Sequence, residues 1–96
     1  MTELRFEWDP KKARTNQEKH GVSFEEAESV FWDEQGLFFE DPAPEDWEER
    51  FILLGLSASL RLLLVVHALR DEDTIRIISA RPATKREARA YNERLR

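Results

Sequence analysis

Six cationic side chains gather near one end of this 96-residue chain: Arg76, Arg81, Lys85, Arg86, Arg89 and Arg94. Five of them lie within IRIISARPATKREARAY, residues 75–91, which closes on Tyr91. Arg61 and His67 stand six residues apart in an earlier apolar run, and Lys19 is followed by His20. Guanidinium groups suit phosphate, because their fixed fork of donors matches its oxygens. Cations beside a group that can move a proton can cut RNA without a metal. The 2′-hydroxyl attacks the neighbouring phosphate, a base takes its proton, cations stabilise the added charge, and an acid protonates the leaving oxygen. Arg, Lys, His and Tyr cover all of these roles. The chain has no cysteine. That excludes a thiol nucleophile, a disulfide scaffold and a thiolate metal site. The two histidines are far apart in sequence, so neither a metal centre nor a cofactor is expected.

These cations belong to an acidic protein, with a formal net charge of -5. Residues 1–20 hold five Lys or Arg and four Asp or Glu; residues 21–50 hold one Arg and eleven acids; residues 51–96 hold nine Lys or Arg and five acids. A focused anion site on an acidic body fits this distribution better than a general nucleic-acid coat. The acidic block favours solubility and low nonspecific binding. The longest apolar run, Leu62–Val66, is too short to span a bilayer, and MTELRFEWDP lacks a signal pattern. A cytoplasmic protein without membrane contact is the expectation.

One domain is expected at this length. Leu4–Trp8 alternates as a short strand does. Asp9-Pro10 opens a helix that runs to His20 and stops at Gly21. Ser23 and Glu26 form a capping-box pattern before a second helix at about 24–32. Gly36–Glu40 suits a short strand, and the proline-rich stretch at 41–46 an exposed loop. Arg50–Leu56, Arg61–Ala68 and Thr74–Ala80 read as strands joined by hairpins. Thr84 and Glu87 repeat the capping box before a last helix, whose Ala88, Tyr91 and Leu95 share one stripe while Arg and Lys fill the other. The fold class is therefore α+β: an antiparallel sheet of about four strands, two N-terminal helices and one C-terminal helix, with the helices on one face.

FEWDPKKARTNQEKHGVSFEEAESVF, ERFILLGLSASLRLLLVVHALR and IRIISARPATKREARAY, taken in order, resemble the BrnT family of toxins from type II toxin–antitoxin systems. The resemblance implies a RelE-like fold and a ribonuclease that arrests translation by cutting RNA. It also implies a partner antitoxin, BrnA, whose ribbon-helix-helix part would be the only route to DNA. Leu60 departs from the family, which usually has Gly before the Arg of that strand; so does the acidic Asp71–Asp73 turn.

Arg61, His67, Arg76, Arg81 and Tyr91 are the catalytic candidates; Lys19, His20, Lys85, Arg86 and Arg89 are the RNA-binding ones. Which of His20, His67 or Tyr91 is acid or base stays open. Simple alternation aims Arg76 and Arg81 at opposite faces of a strand, and only a bulge or the strand's end would bring them together. Tyr91, on an apolar stripe, also suits core packing, and Lys85, Arg86 and Arg89 suit a solvated basic face. A competing reading makes the chain a non-catalytic module whose basic face docks an acidic partner and supports DNA repression.

Overall fold

The structure is a computed structural model that describes residues 3–41 and 49–94. The elements run β1 (Arg5–Glu7), α1 (Pro10–His20), α2 (Phe24–Ser29), a single 3₁₀ turn (Val30–Trp32), β2 (Leu37–Glu40), β3 (Phe51–Leu56), β4 (Leu62–Leu69), β5 (Thr74–Pro82) and α3 (Lys85–Arg94). Most of the loop expected at 41–46 lies outside the described residues, as does Leu95.

Helix boundaries follow from local chemistry. The Asp9 side chain accepts from the Lys11 N–H at 2.9 Å, and Pro10 takes the first helical position. Gly21 ends α1 in the left-handed region, φ 69°, with its N–H on the Gln17 carbonyl. The Ser23 hydroxyl accepts from the Glu26 N–H at 3.0 Å. The Glu26 carboxylate does not reach back to close the box; it binds Arg61 and Ser57 instead. At α3 both halves form: Thr84 N–H donates to Glu87 Oε1 at 2.9 Å, and Glu87 N–H donates to Thr84 Oγ1 at 3.2 Å.

The sheet has five strands in the order β1-β5-β4-β3-β2. The two expected hairpins, β3–β4 and β4–β5, are antiparallel, and so is the pairing of β2 with β3. β1 instead joins β5 in parallel, from Arg5↔Thr74 to Glu7↔Arg76. Sequence alternation shows that a strand exists, not its partner or its direction.

Helices on a single face prove to be incorrect. Val22, Phe24, Ala27 and Val30 pack with Leu53, Leu63, Val65, Ile77 and Ala80 on one face of the sheet. Tyr91 of α3 packs with Leu54 and Leu64 on the other. Adjacent residues on a strand point to opposite faces, so Leu53 and Leu54 cannot serve the same layer. Both faces of β3 and β4 are apolar for this reason, and their sequence runs of Leu and Val do not alternate.

The β3–β4 hairpin carries a conformational cost at Leu60. The Leu60 N–H bonds Ser57 O at 2.9 Å and the Ser57 N–H bonds Arg61 O at 2.8 Å. This is a type I turn followed by a left-handed residue, and Leu60 fills that position at φ 63°. A β-carbon is disfavoured there by about 1–2 kcal/mol. Leu60 is 79% exposed, so its side chain contributes no core. Replacing it with glycine should stabilise the protein by about 1 kcal/mol, or about 4–8 °C in Tm, after the extra chain entropy of glycine is deducted. Thermal unfolding of Leu60→Gly checks this; an unchanged or lower midpoint would show that the turn is not strained.

Candidate RNA-binding cleft

One irregularity in β5 arranges the cationic side chains. Leu64 pairs with Arg81 and Val66 with Ser79, but His67 pairs with Ile77 and Ala68 with Arg76. Ile78 is therefore an extra residue, a β-bulge. β4 stays regular against β3, so Leu64, Val66 and Ala68 share a face, and so do their partners. Arg76, Ser79 and Arg81 consequently lie on the α3 face of the sheet. The bulge removes the separation that plain alternation gives Arg76 and Arg81.

The same bulge meets α1. β1 covers β5 only from Thr74 to Arg76. Beyond that, Asn16 takes over the outer edge. Its amide NH₂ donates to Ala80 O at 2.9 Å and Val22 O at 3.0 Å, and its Oδ1 accepts from Ala80 N–H at 3.1 Å. Asn16 is buried, so these bonds satisfy backbone groups that water cannot reach. Lys11, Lys12, Thr15, Lys19 and His20 follow Asn16 along one side of the helix, and with Ile78 and Ser79 they line a cleft of about 290 Å³. Two stretches nearly sixty residues apart thus form one cationic cleft. Asn16 and Ser79 escaped the sequence reading. A poor helix former in the middle of α1 was the available signal for Asn16.

The other candidates are placed elsewhere. Arg61 sits at the end of the β3–β4 hairpin. Its Nε donates to Glu26 Oε2 at 2.9 Å, its Nη2 donates to Gly21 O at 3.0 Å, and a further Nη2 contact closes the ion pair with Glu26. Those hydrogen bonds from Arg61, against the opposing effect of burial and helped by the Ser57 hydroxyl, hold the Glu26 carboxyl below its ordinary pKa. Arg61 braces a helix start rather than facing the cleft.

Arg81 is also engaged. Its Nη1 and Nη2 donate to Glu87 Oε1 and Oε2 at 2.8 and 2.9 Å. Glu87 is held below its ordinary pKa first by Arg81, opposed by burial, and then by the Thr84 N–H. Arg81 therefore steadies the cap of α3. Arg76 is half-buried, and its side chain makes no hydrogen bond or ion pair among the described residues.

His67 is 1% exposed. Phe31, Phe38 and Phe51 surround it, with ring centroids at 4.8, 5.6 and 6.1 Å. Burial pushes its pKa down to about 4, against a weak opposing contact with Val65 O. This imidazole is neutral and enclosed. Tyr91 donates its hydroxyl to Asp33 Oδ2 at 2.6 Å; burial, then that bond, raises its pKa to about 12. Lys85, Arg86 and Arg89 are exposed on α3, where Lys85 and Arg89 border a separate open depression with Asn92 and Glu93.

Among the described residues no group of three His, Cys, Asp or Glu is placed to hold a metal ion, and no helix is long and apolar enough to cross a membrane.

Residues 8–87 match the family described as the ribonuclease toxin, BrnT, of type II toxin–antitoxin systems. A crystal structure of the Brucella abortus ribonuclease toxin, BrnT, superposes with a TM-score of 0.66 at 25% identity, covering 85% of this chain and 99% of that one. No curated protein matches the sequence. The fold and these matches define a ribonuclease toxin of the type II toxin–antitoxin class. Within that class the chain belongs to the BrnT family.

The enclosure of His67 has a thermodynamic consequence. Its pKa is about 4 folded and 6.5 unfolded, so between those values the unfolded chain binds the extra proton. Its contribution is complete above pH 6.5 and is lost as pH falls toward 4. Stability should drop by on the order of 2–3 kcal/mol between pH 7 and 4.5. His67→Leu should flatten that slope. Urea unfolding at several pH values tests it; a flat wild-type profile would contradict the buried neutral imidazole.

Proposed function

We propose that this chain arrests translation by cutting RNA in the cleft between α1 and the β5 bulge, without a metal, and that an antitoxin of the BrnA type, with a ribbon-helix-helix DNA-binding part, neutralises it in the cytoplasm. The observation that carries the reading is the convergence of Lys11, Lys12, Lys19 and His20 with Ser79 at one cleft, with Arg76 beside Ser79 on the same sheet face. No carboxylate is among the residues lining that cleft, and a lysine-rich wall attracts phosphate.

The lysines would hold the RNA backbone. His20 would take the proton of the 2′-hydroxyl, since the other histidine is enclosed by phenylalanines. The 2′-oxygen then bonds to phosphorus while the bond from phosphorus to the 5′-oxygen breaks. The leaving 5′-oxygen takes a proton from solvent water, and the products are a 2′,3′-cyclic phosphate and a 5′-hydroxyl. Arg76 would stabilise the charge that builds on the phosphate, where a placed donor is worth on the order of 10²–10³ in rate. Arg81 and Tyr91 would act on the site through α3, and Lys85, Arg86 and Arg89 would extend the attraction for the RNA backbone. Arg61 and His67 would serve the scaffold.

The purified chain should cleave RNA in excess EDTA and leave a cyclic or 3′-phosphate end. Arg76→Ala and His20→Ala should each slow cleavage by about 10²-fold or more while Tm stays within a few degrees. Arg86→Ala, on exposed α3, should reduce the rate only modestly. Activity that vanishes on chelation and returns with a divalent ion would overturn the metal-free route. An inactive but folded chain that still binds its antitoxin would favour the non-catalytic module.

A further inference from the structure

The acidic part of the chain carries exposed aromatic rings that the cleft does not use. Residues 21–49 contain eleven Asp or Glu and no Lys or Arg. Within them Trp32 is 64% exposed and Phe38 57% exposed. These two rings are the outer ends of one aromatic layer. Phe6 lies 5.2 Å from Phe31 and 6.4 Å from Trp32, while Phe38 lies 5.4 Å from Phe51 and 5.6 Å from His67, ring centre to ring centre. Partly buried Phe6 supports Trp32, and partly buried Phe51 with buried His67 supports Phe38, so a partner would meet the rings already packed. Pre-ordered aromatic anchors of this kind characterise the centres of protein interfaces.

Charge selects the partner. Glu28 precedes Trp32 by one helical turn, Glu34 follows it by two residues, and Glu40 shares the Phe38 face of β2. RNA bases stack on aromatic rings, but these carboxylates repel the phosphates that would accompany them. A segment with apolar side chains flanked by Lys or Arg meets both features. Neither Trp32 nor Phe38 is among the residues lining the cleft, so a protein seated on these rings does not compete with RNA for the same side chains.

We propose that Trp32 and Phe38 anchor the antitoxin through a segment of it that is apolar and cationic. This rests on the reading of the chain as a toxin with an antitoxin partner. Anchoring and catalysis are then separable: a toxin lacking the anchor still cuts RNA but escapes its antitoxin.

The test is calorimetric titration of the purified cognate antitoxin into the wild-type chain and into Trp32→Ser/Phe38→Ser, at low and moderate salt. RNA cleavage and thermal unfolding are measured alongside. Wild-type affinity should fall as salt rises, and the variant should bind about 30-fold more weakly or worse. Its RNA cleavage should match the wild type, and its unfolding midpoint should fall by no more than several degrees, for the lost packing of Phe38 on Phe51 and His67. Glu34→Lys/Glu40→Lys, which leaves the rings in place, should also weaken binding. Unchanged affinity in the aromatic variant overturns the anchor and leaves the antitoxin reading standing. A wild-type chain that ignores the antitoxin overturns both. Loss of RNA binding, or of a dimer seen by sedimentation, would give the surface to RNA or to a second copy and also overturn the anchor.

Discussion

The three hydrogen bonds of the Asn16 carboxamide set the geometry on which the rest of the cleft depends. β5 leaves β1 after Arg76 with an edge that needs partners. Asn16 provides them at Ala80, and its third bond fixes the turn at Val22. An apolar side chain at that position would leave buried backbone groups unpaired, at about 1–3 kcal/mol each. Because the clamp grips β5 two residues beyond Ile78, it holds α1 against the bulge. The cationic side of α1 then has no freedom to face elsewhere.

Asp33 performs the comparable task at β3, two strands away from β5. Its carboxylate accepts from the Leu56 N–H at 2.8 Å, the Tyr91 hydroxyl at 2.6 Å and the Gln35 N–H at 2.9 Å. Burial by itself would raise its pKa, but the Leu56 N–H, then the Tyr91 hydroxyl, then the Gln35 N–H hold it below the ordinary value. Gly55 makes room for this carboxylate; a β-carbon there would stand 3.0 Å from Asp33 Oδ2 and from Val30 Cγ1. One short acid thus joins the 3₁₀ turn, β3 and α3. Two ion pairs, Arg61–Glu26 and Arg81–Glu87, fasten helix starts to strand ends. Arginines that look like catalytic cations in sequence are partly committed to holding helices.

Much of the fold was legible in short-range chemistry. Asp9-Pro10, Gly21, Ser23 and Thr84 marked helix ends correctly because caps depend on neighbouring residues alone. The antiparallel strands showed as apolar runs between polar turns. Long-range choices were hidden. Nothing local to Leu4–Trp8 says that it pairs in parallel with Thr74–Arg76, and nothing local to Tyr91 says which face of the sheet it covers. The site was legible in part for the same reason. Of the residues expected from sequence, Lys19 and His20 do line the candidate cleft. The bulge that aligns Arg76 with Arg81 appears only when β5 is set against β4. His67 and Asp33 differ in burial, not in motif, and burial belongs to the whole chain.

The most direct test of the cleft is an amide chemical-shift titration of the protein with a short RNA carrying 2′-O-methyl groups, which blocks cleavage. Shifts should concentrate at Lys19, His20, Ile78 and Ser79, weaken as salt rises, and leave Trp32 and Phe38 unmoved. Shifts centred on α3 or on the aromatic edge, with Ile78 and Ser79 unaffected, would contradict the account.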